Sequence, residues 1–258
     1  MTPILQLENV GKRFGGLAAL SGIDFTAEKG KVTGLIGPNG AGKTTCFNLI
    51  TGTLPASSGK IVFQGANTAG LSPHQIVERG LARTFQSATT FPDATVRENI
   101  LRSALLRHPV GALSTLFGGP AARQAEAAAA RTVDDVMDAL ELTEHADRKA
   151  GTLAYGYQKR LGVAIGLATR PVLLLLDEPA AGLNPEEVDR FSGMLATIKD
   201  RFDVSVLIVE HHMRLIMRVC DHIVVLDHGE KIAEGSPKEV QTNPRVIEAY
   251  LGAENNVE

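Results

Sequence analysis

A chain of 258 residues, 44% of them hydrophobic, can bury one sizeable core, which predicts a single domain with subdomains. Its formal net charge of -3 supplies no field for general nucleic-acid binding. The longest apolar run, residues 171–176, is too short to cross a bilayer, and the amino terminus lacks a signal peptide's basic-then-apolar layout, so a soluble, cytosolic product is expected. Residues 4–10 (ILQLENV) set Ile4, Leu5 and Leu7 among polar residues, and residues 22–27 (GIDFTA) do so with Ile23 and Phe25. Both read as half-buried antiparallel strands. A short apolar run, residues 32–36, then ends at GPNGAGKTT.

That stretch meets the pattern G-x-x-x-x-G-K-[ST] in full through Gly37, Gly42, Lys43 and Thr44. Glycines let successive N–H groups turn inward around phosphate oxygens, and a helix starting near Gly42 adds its unpaired N–H groups and positive dipole end. Lys43 can reach the β- and γ-phosphates, and Thr44 offers a hydroxyl to Mg2+. The whole run of Gly37, Pro38, Asn39, Gly40, Ala41, Gly42, Lys43, Thr44 and Thr45 is the expected nucleotide contact. A flexible glycine turn is the plainer alternative, but a complete match between strand and helix favours a bound triphosphate.

Beyond it, residues 60–64 read as an edge strand, and residues 72–170 as mostly helical. A short helix starts at Pro73, another covers 95–107, and a long one covers 120–142 with Val133, Val136, Met137 and Leu140 on one face. Short apolar strands resume at 172–176, 204–209 and 223–226, separated by helical stretches, which argues for a parallel sheet covered on both faces. The run VLLLLDEP places Asp177 and Glu178 at the end of a buried strand, before Pro179. Asp177 suits holding Mg2+ through water, and Glu178 suits taking a proton from an attacking water. A helix-capping turn is the other reading of that tripeptide, but a metal and a positioned water near a phosphate loop are what phosphoryl transfer needs. Cys46 and Cys220 make no ligand or redox spacing and read as core or near-core thiols.

Taken in order, these residues resemble the ATP-binding subunit of an ABC transporter over essentially the whole chain. The resemblance implies an α/β fold: a RecA-like P-loop NTPase core with a mixed or parallel sheet (about residues 1–87 and 161–258), an N-terminal antiparallel β subdomain, and an inserted α-helical subdomain (about 88–160). It also implies that Phe14 in KRFGG stacks on adenine, that Gln86 in ARTFQ contacts Mg2+ and water and reports on the membrane partner, and that His211 in VEHHM contacts the γ-phosphate. LAYGYQKR holds the place of the signature with Leu153, Ala154, Tyr155, Gly156 and Tyr157, and GLNP that of the D-loop with Asn184. Gly156 lies just before a predicted helix, 158–169, whose N-terminus can offer N–H groups to an anion. A second anion site makes sense if it closes over ATP held by another copy, identical or paralogous, which is the head-to-tail dimer that the resemblance implies.

Departures are visible. Ala154 replaces the signature serine, Tyr157 its glutamine, and Asn184 and His212 stand where many members carry aspartate. None removes Lys43, the metal residues or the base, so ATP hydrolysis with Mg2+ is expected to survive. RFGGLAAL, ARTFQ, LAYG, DEPAAGLNP and NPRVIEAYLG together resemble the branched-chain amino-acid importer branch. Importers of urea or short amides and the lipopolysaccharide-export ATPase share much of this pattern. The implied partners are integral membrane permease subunits and, indirectly, a solute-binding protein, with no nucleic acid; the implied place is peripheral, on the cytoplasmic side of the membrane. A soluble ABC protein acting away from transport is the alternative of another class. A GTPase would need an Asn-Lys-x-Asp segment, and none is present. The loop at 108–120 reads equally as surface excursion or partner contact. The closing helix, with Val246, Ile247, Tyr250 and Leu251 at helical spacing, is expected to pack on the core.

Overall fold

Two sheets divide the chain's apolar strands between them. In the computed structural model, which describes residues 2–84, 90–107 and 119–254, strands β1 (Pro3–Phe14) and β2 (Leu17–Glu28) form a long antiparallel hairpin. Both outrun the segments whose alternation shows in the sequence. The register shifts between Leu7 and Val10, where Asn9 takes φ 49° and donates its N–H to Asp24 Oδ1 at 2.7 Å, so the inward face changes parity there. Strand β4 (Ser58–Phe63) pairs with β1, and the two-residue β5 (Ala66–Asn67) covers its other side. The expected edge strand is thus an inner one, because a partner this short leaves no periodic signal.

The second sheet has the order β10-β9-β3-β8-β7-β6, with β3 at Val32–Ile36, β6 at Leu81–Arg83, β7 at Leu173–Asp177, β8 at Ser205–Val209, β9 at His222–Asp227 and β10 at Glu230–Gly235. All its pairings are parallel except β9 with β10. Every residue of β3, β7 and β8 is buried, as continuous apolar strands covered on both faces require. β6 corrects the reading of 72–170 as helical: three residues are too few to show a period, yet they extend the sheet beside β7.

Among the described helices, α1 (Lys43–Ile50) follows β3, and its Cys46, Phe47, Leu49 and Ile50 pack against Leu5, Leu7, Ile23 and Phe25 of the hairpin. Cys46 is fully buried, which pushes its thiol up to about 12. Helix α2 (Pro73–Glu78) starts at a Ser72–Gln75 capping box and α3 (Val96–Leu105) at a Thr95–Glu98 box. α4 (Pro120–Ala139) and α5 (Tyr155–Ala168) pack with α3 through Ile100, Val133, Val136, Met137, Leu161 and Ala164. Helix α5 starts three residues before the expected 158, so Gly156 lies inside its first turn rather than ahead of it. Next come α6 (Pro185–Phe202), α7 (Met213–Val219), α8 (Pro237–Gln241) and α9 (Pro244–Glu254). Val246 of α9 is buried and Tyr250 packs on the core, whereas Ile247, expected on the same face, is 46% exposed. Among the described residues no helix is long and apolar enough to cross a membrane. Residues 108–118, most of the loop at 108–120, lie outside the described set.

Because β3, β8, β7 and β6 run parallel, their C-terminal ends share one edge of the sheet. That edge, where an open α/β sheet binds ligands, carries GPNGAGKTT after β3, Glu210 and His211 after β8, and Glu178 after β7.

Candidate nucleotide site

The loop after β3 needs its glycines for two separate reasons. Gly37 (φ 152°) and Gly42 (φ 99°) sit in backbone conformations that disfavour a side chain, and both are crowded. A Cβ at Gly37 would lie 2.1 Å from the Leu226 carbonyl oxygen, and one at Gly42 would lie 2.6 Å from Leu20 Cδ2. Gly40 (φ 82°) meets no such crowding and stands exposed beside Asn39, at the open side of the loop. The loop is closed by Ala41 N–H donating to Pro38 O at 3.2 Å. Helix α1 then begins with Gly42 as a cap that has no side-chain acceptor, and no acidic residue stands in its first turn. Its N-terminal N–H groups and dipole therefore face no competing anion of their own.

Lys43 curls back over this cradle: its Nζ donates to the carbonyls of Gly37 at 2.6 Å and Pro38 at 2.8 Å. Burial lowers its pKa, and the nearby carboxylates of Glu178 and Asp177 work in the opposite sense. The sheet thus brings together residues that are far apart in the chain. Thr44 is exposed at the loop and Thr45 is half-buried.

Asp177 ends β7, buried, and accepts a hydrogen bond from Arg83 Nη2 at 2.6 Å. Arg83, on β6, also donates Nη1 to Asn48 Oδ1 at 2.7 Å and sets its guanidinium 5.6 Å from the centre of the Phe47 ring. Sequence reasoning missed Arg83; the available signal was a cation inside the apolar run GLAR, ahead of the Gln86 segment. Glu178 adopts φ 45°, an uncommon conformation for a residue with a side chain, and its N–H is tied to Val209 O at 2.9 Å. Its carboxylate oxygen Oε1 lies 4.0 Å from His211 Nδ1.

A second missed residue, the carboxylate of Glu210, lies nearby. Glu210 has no exposed surface, yet it accepts from Ala180 N–H at 2.7 Å on Oε1 and from the N–H groups of His211 and His212 at 3.0 and 3.1 Å on Oε2. The imidazole of His211 is itself half-exposed, with Nδ1 3.8 Å from Glu210 Oε2.

A description of the ABC transporter family matches residues 20–181. The chain belongs to the ABC transporter family. A second description, branched-chain amino acid ATP-binding cassette transporter, matches residues 230–255. The high-affinity branched-chain amino acid transport ATP-binding protein BraF of Pseudomonas aeruginosa is 44% identical over 97% of this chain and 98% of its own length. The corresponding LivG protein of Escherichia coli is 39% identical over the same shares. Among solved structures, a nucleotide-free ATP-binding cassette from an ABC transporter superposes with a TM-score of 0.83 at 32% identity, covering 96% of this chain and 99% of the other. The ADP conformation of such a cassette gives 0.82 at 32% identity, over 98% and 100%. The fold is accordingly that of the α/β P-loop NTPases, with a mixed sheet beside an antiparallel one.

The remaining ABC segments take the following places. Phe14, ending β1, is 47% exposed, with Lys12 Nζ 5.0 Å from its ring centre. Gln86 lies outside the described residues. In the signature segment Leu153 is buried, and Ala154 caps α5 without a side-chain acceptor, leaving the helix start open to an outside one. Tyr155 is 51% exposed and lies against the D-loop: a Cβ on Gly182 would meet its ring at 2.9 Å. Gly156 likewise abuts Glu187, at 2.8 Å from a built Cβ. Tyr157, the departure from glutamine, has a packing explanation. Its ring makes an edge contact with His145 at 4.2 Å and lies 4.8 Å from the guanidinium of Arg160, which is paired with Glu141 at 2.8 Å. Asn184 caps α6, accepting from Glu187 N–H at 3.0 Å, a job that asparagine and aspartate do equally well.

Among the described residues no group of three or more His, Cys, Asp or Glu could hold a metal. A cation that takes most of its ligands from phosphates and water needs fewer: the buried Asp177 carboxylate and the exposed Thr44 hydroxyl fit Mg2+ in that manner. A groove of about 640 Å3, lined by Asp24, Glu28, Lys31, Asp221, His222 and Glu234 among others, touches none of these residues.

Proposed function

We propose that this chain is the ATP-hydrolysing subunit of an importer for branched-chain or other hydrophobic amino acids, working as one of a pair that clamps ATP between its members. The observation that carries the reading is the shared sheet edge, where the glycine cradle and Lys43 stand beside Asp177, Glu178 and His211. The relatives' names, at 39–44% identity over nearly the full length, support the transport class and the amino-acid substrate.

In this reading Phe14 stacks on adenine. The N–H groups along Gly37, Asn39, Gly40, Ala41, Gly42, Lys43, Thr44 and Thr45 surround the phosphates, and Pro38 shapes the turn. Lys43 exchanges the carbonyls of Gly37 and Pro38 for phosphate oxygens, which bear full charge and are stronger acceptors. Thr44, Asp177 and Gln86 hold Mg2+, which when bound offsets negative charge on the transferring phosphoryl group. Glu178 accepts a proton from the attacking water, and His211 donates to the γ-phosphate. The second subunit contributes its α5 start: with Ala154 in place of serine, backbone N–H groups near Tyr155 and Gly156 serve as donors, while Leu153 and Tyr157 anchor the segment. Asn184 lies at the junction of the two subunits. Residues 1–87 and 161–258 form the core, and residues 88–160 form the helical lobe that meets the permease subunits. The pair, identical or paralogous, sits at the cytoplasmic face of the membrane as a peripheral component, supplied with solute by a binding protein.

Glu178→Gln tests this: ATP binding should persist while Mg-ATP traps a dimer by light scattering, and turnover should fall by at least ~100-fold, as loss of a general base predicts. A variant that hydrolyses at the parent's rate, or stays monomeric at saturating ATP, would sink the reading.

A further inference from the structure

Glu210 is absent from the roles above, and its surroundings ask for one. A carboxylate without solvent exposure is costly unless hydrogen bonds replace its water. Here the replacement is split between two segments. Oε1 takes the N–H of Ala180, two residues beyond Glu178, and Oε2 takes the N–H groups of His211 and His212. Each segment is stiff in itself. The turn after Glu178 is closed by Ala181 N–H to Glu178 O at 3.2 Å and Leu183 N–H to Ala180 O at 3.1 Å, and it runs into the Asn184 cap. His212 caps α7, whose Leu215 N–H donates to its carbonyl at 3.0 Å.

We propose that Glu210 is a positioning residue that joins the Glu178–Asn184 turn and His211 into one mechanical unit. The inference rests on the function proposed above and deepens it. The half-exposed imidazole of His211 is fixed at its own backbone by the carboxylate that holds the neighbouring turn. A shift of the turn, such as a second subunit pressing on Asn184 would impose, therefore carries His211 with it. Hydrolysis is gated by docking through this joint.

The distinguishing variant is Glu210→Gln, which keeps the shape but presents an amide NH2 to one of the two segments, so one arm of the joint is lost. ATP turnover and amide hydrogen exchange are measured on the full chain. Losing a hydrogen bond to a charged acceptor predicts a kcat lower by ~10-fold or more, with the KM for ATP within ~3-fold of the parent. Exchange should accelerate in the segment that meets the amide NH2, while the segment that meets the amide oxygen keeps its protection. In the unaltered protein the amides of Ala180, His211 and His212 should share one protection level, which needs no variant to fold. An unchanged kcat, a raised KM at constant kcat, or protection differing by more than ~10-fold between the two segments of the unaltered protein overturns the proposal. A parent that neither binds nor hydrolyses ATP would instead defeat the function on which the proposal rests.

Discussion

The two halves of the nucleotide edge are built in opposite ways. The phosphate cradle after β3 is local: its glycines, Lys43 and Thr44 are consecutive or nearly so, and the contacts that hold Lys43 come from within the same loop. The carboxylate half after β7 and β8 is assembled across the chain. Asp177 is held by Arg83, 94 residues earlier, and Ala180 by Glu210, 30 residues later. A local site is specified by its own backbone conformation, whereas an assembled one depends on neighbouring strands lying in register.

Substitutions should separate the two halves. Arg83→Leu should do the most damage, because it leaves the buried Asp177 carboxylate without its partner; a cost of about 3 kcal/mol or more is expected for a broken buried pair, read as a lowered denaturation midpoint. If stability is unchanged, the assembled half does not depend on the β6–β7 contact. Lys43→Ala should leave the fold nearly intact yet cut ATP affinity by roughly 10- to 100-fold, the value of charge-assisted contacts, measurable by calorimetry. Unaltered affinity would undo the cradle's assignment. Phe14→Ala should have the smallest effect, weakening adenine nucleotides by a stacking increment of ~1 kcal/mol with little change in stability, since the ring is half-exposed. Equal affinity for ATP in that variant would place the adenine elsewhere.

Much of the molecule is legible in its sequence. The apolar runs at 172–176 and 204–209 became buried parallel strands almost at their expected bounds, and Pro73 begins a helix as expected. Legibility failed where a local pattern was too short or was interrupted. β5 and β6 are two and three residues long, and β1 changes its inward face at Asn9. Helix α5 begins earlier than the sequence suggests: Tyr155 and Gly156 are poor helix formers by themselves, but they pack against Gly182 and Glu187 of another segment. Tyr157 read as an oddity of the signature and is instead a packed ring between His145 and Arg160.

The amino-acid order alone determined the cradle, the strand tips that bear Asp177 and Glu178, and the family, because a phosphate loop is a property of consecutive φ values and of a strand giving way to a helix. Only the tertiary structure decided that Arg83 holds Asp177 and that Glu210 binds two loops at once. Those partners are chosen by the order of strands β3, β8, β7 and β6, and burial makes the choice matter: a charge removed from water must find its hydrogen bonds wherever the packing puts them.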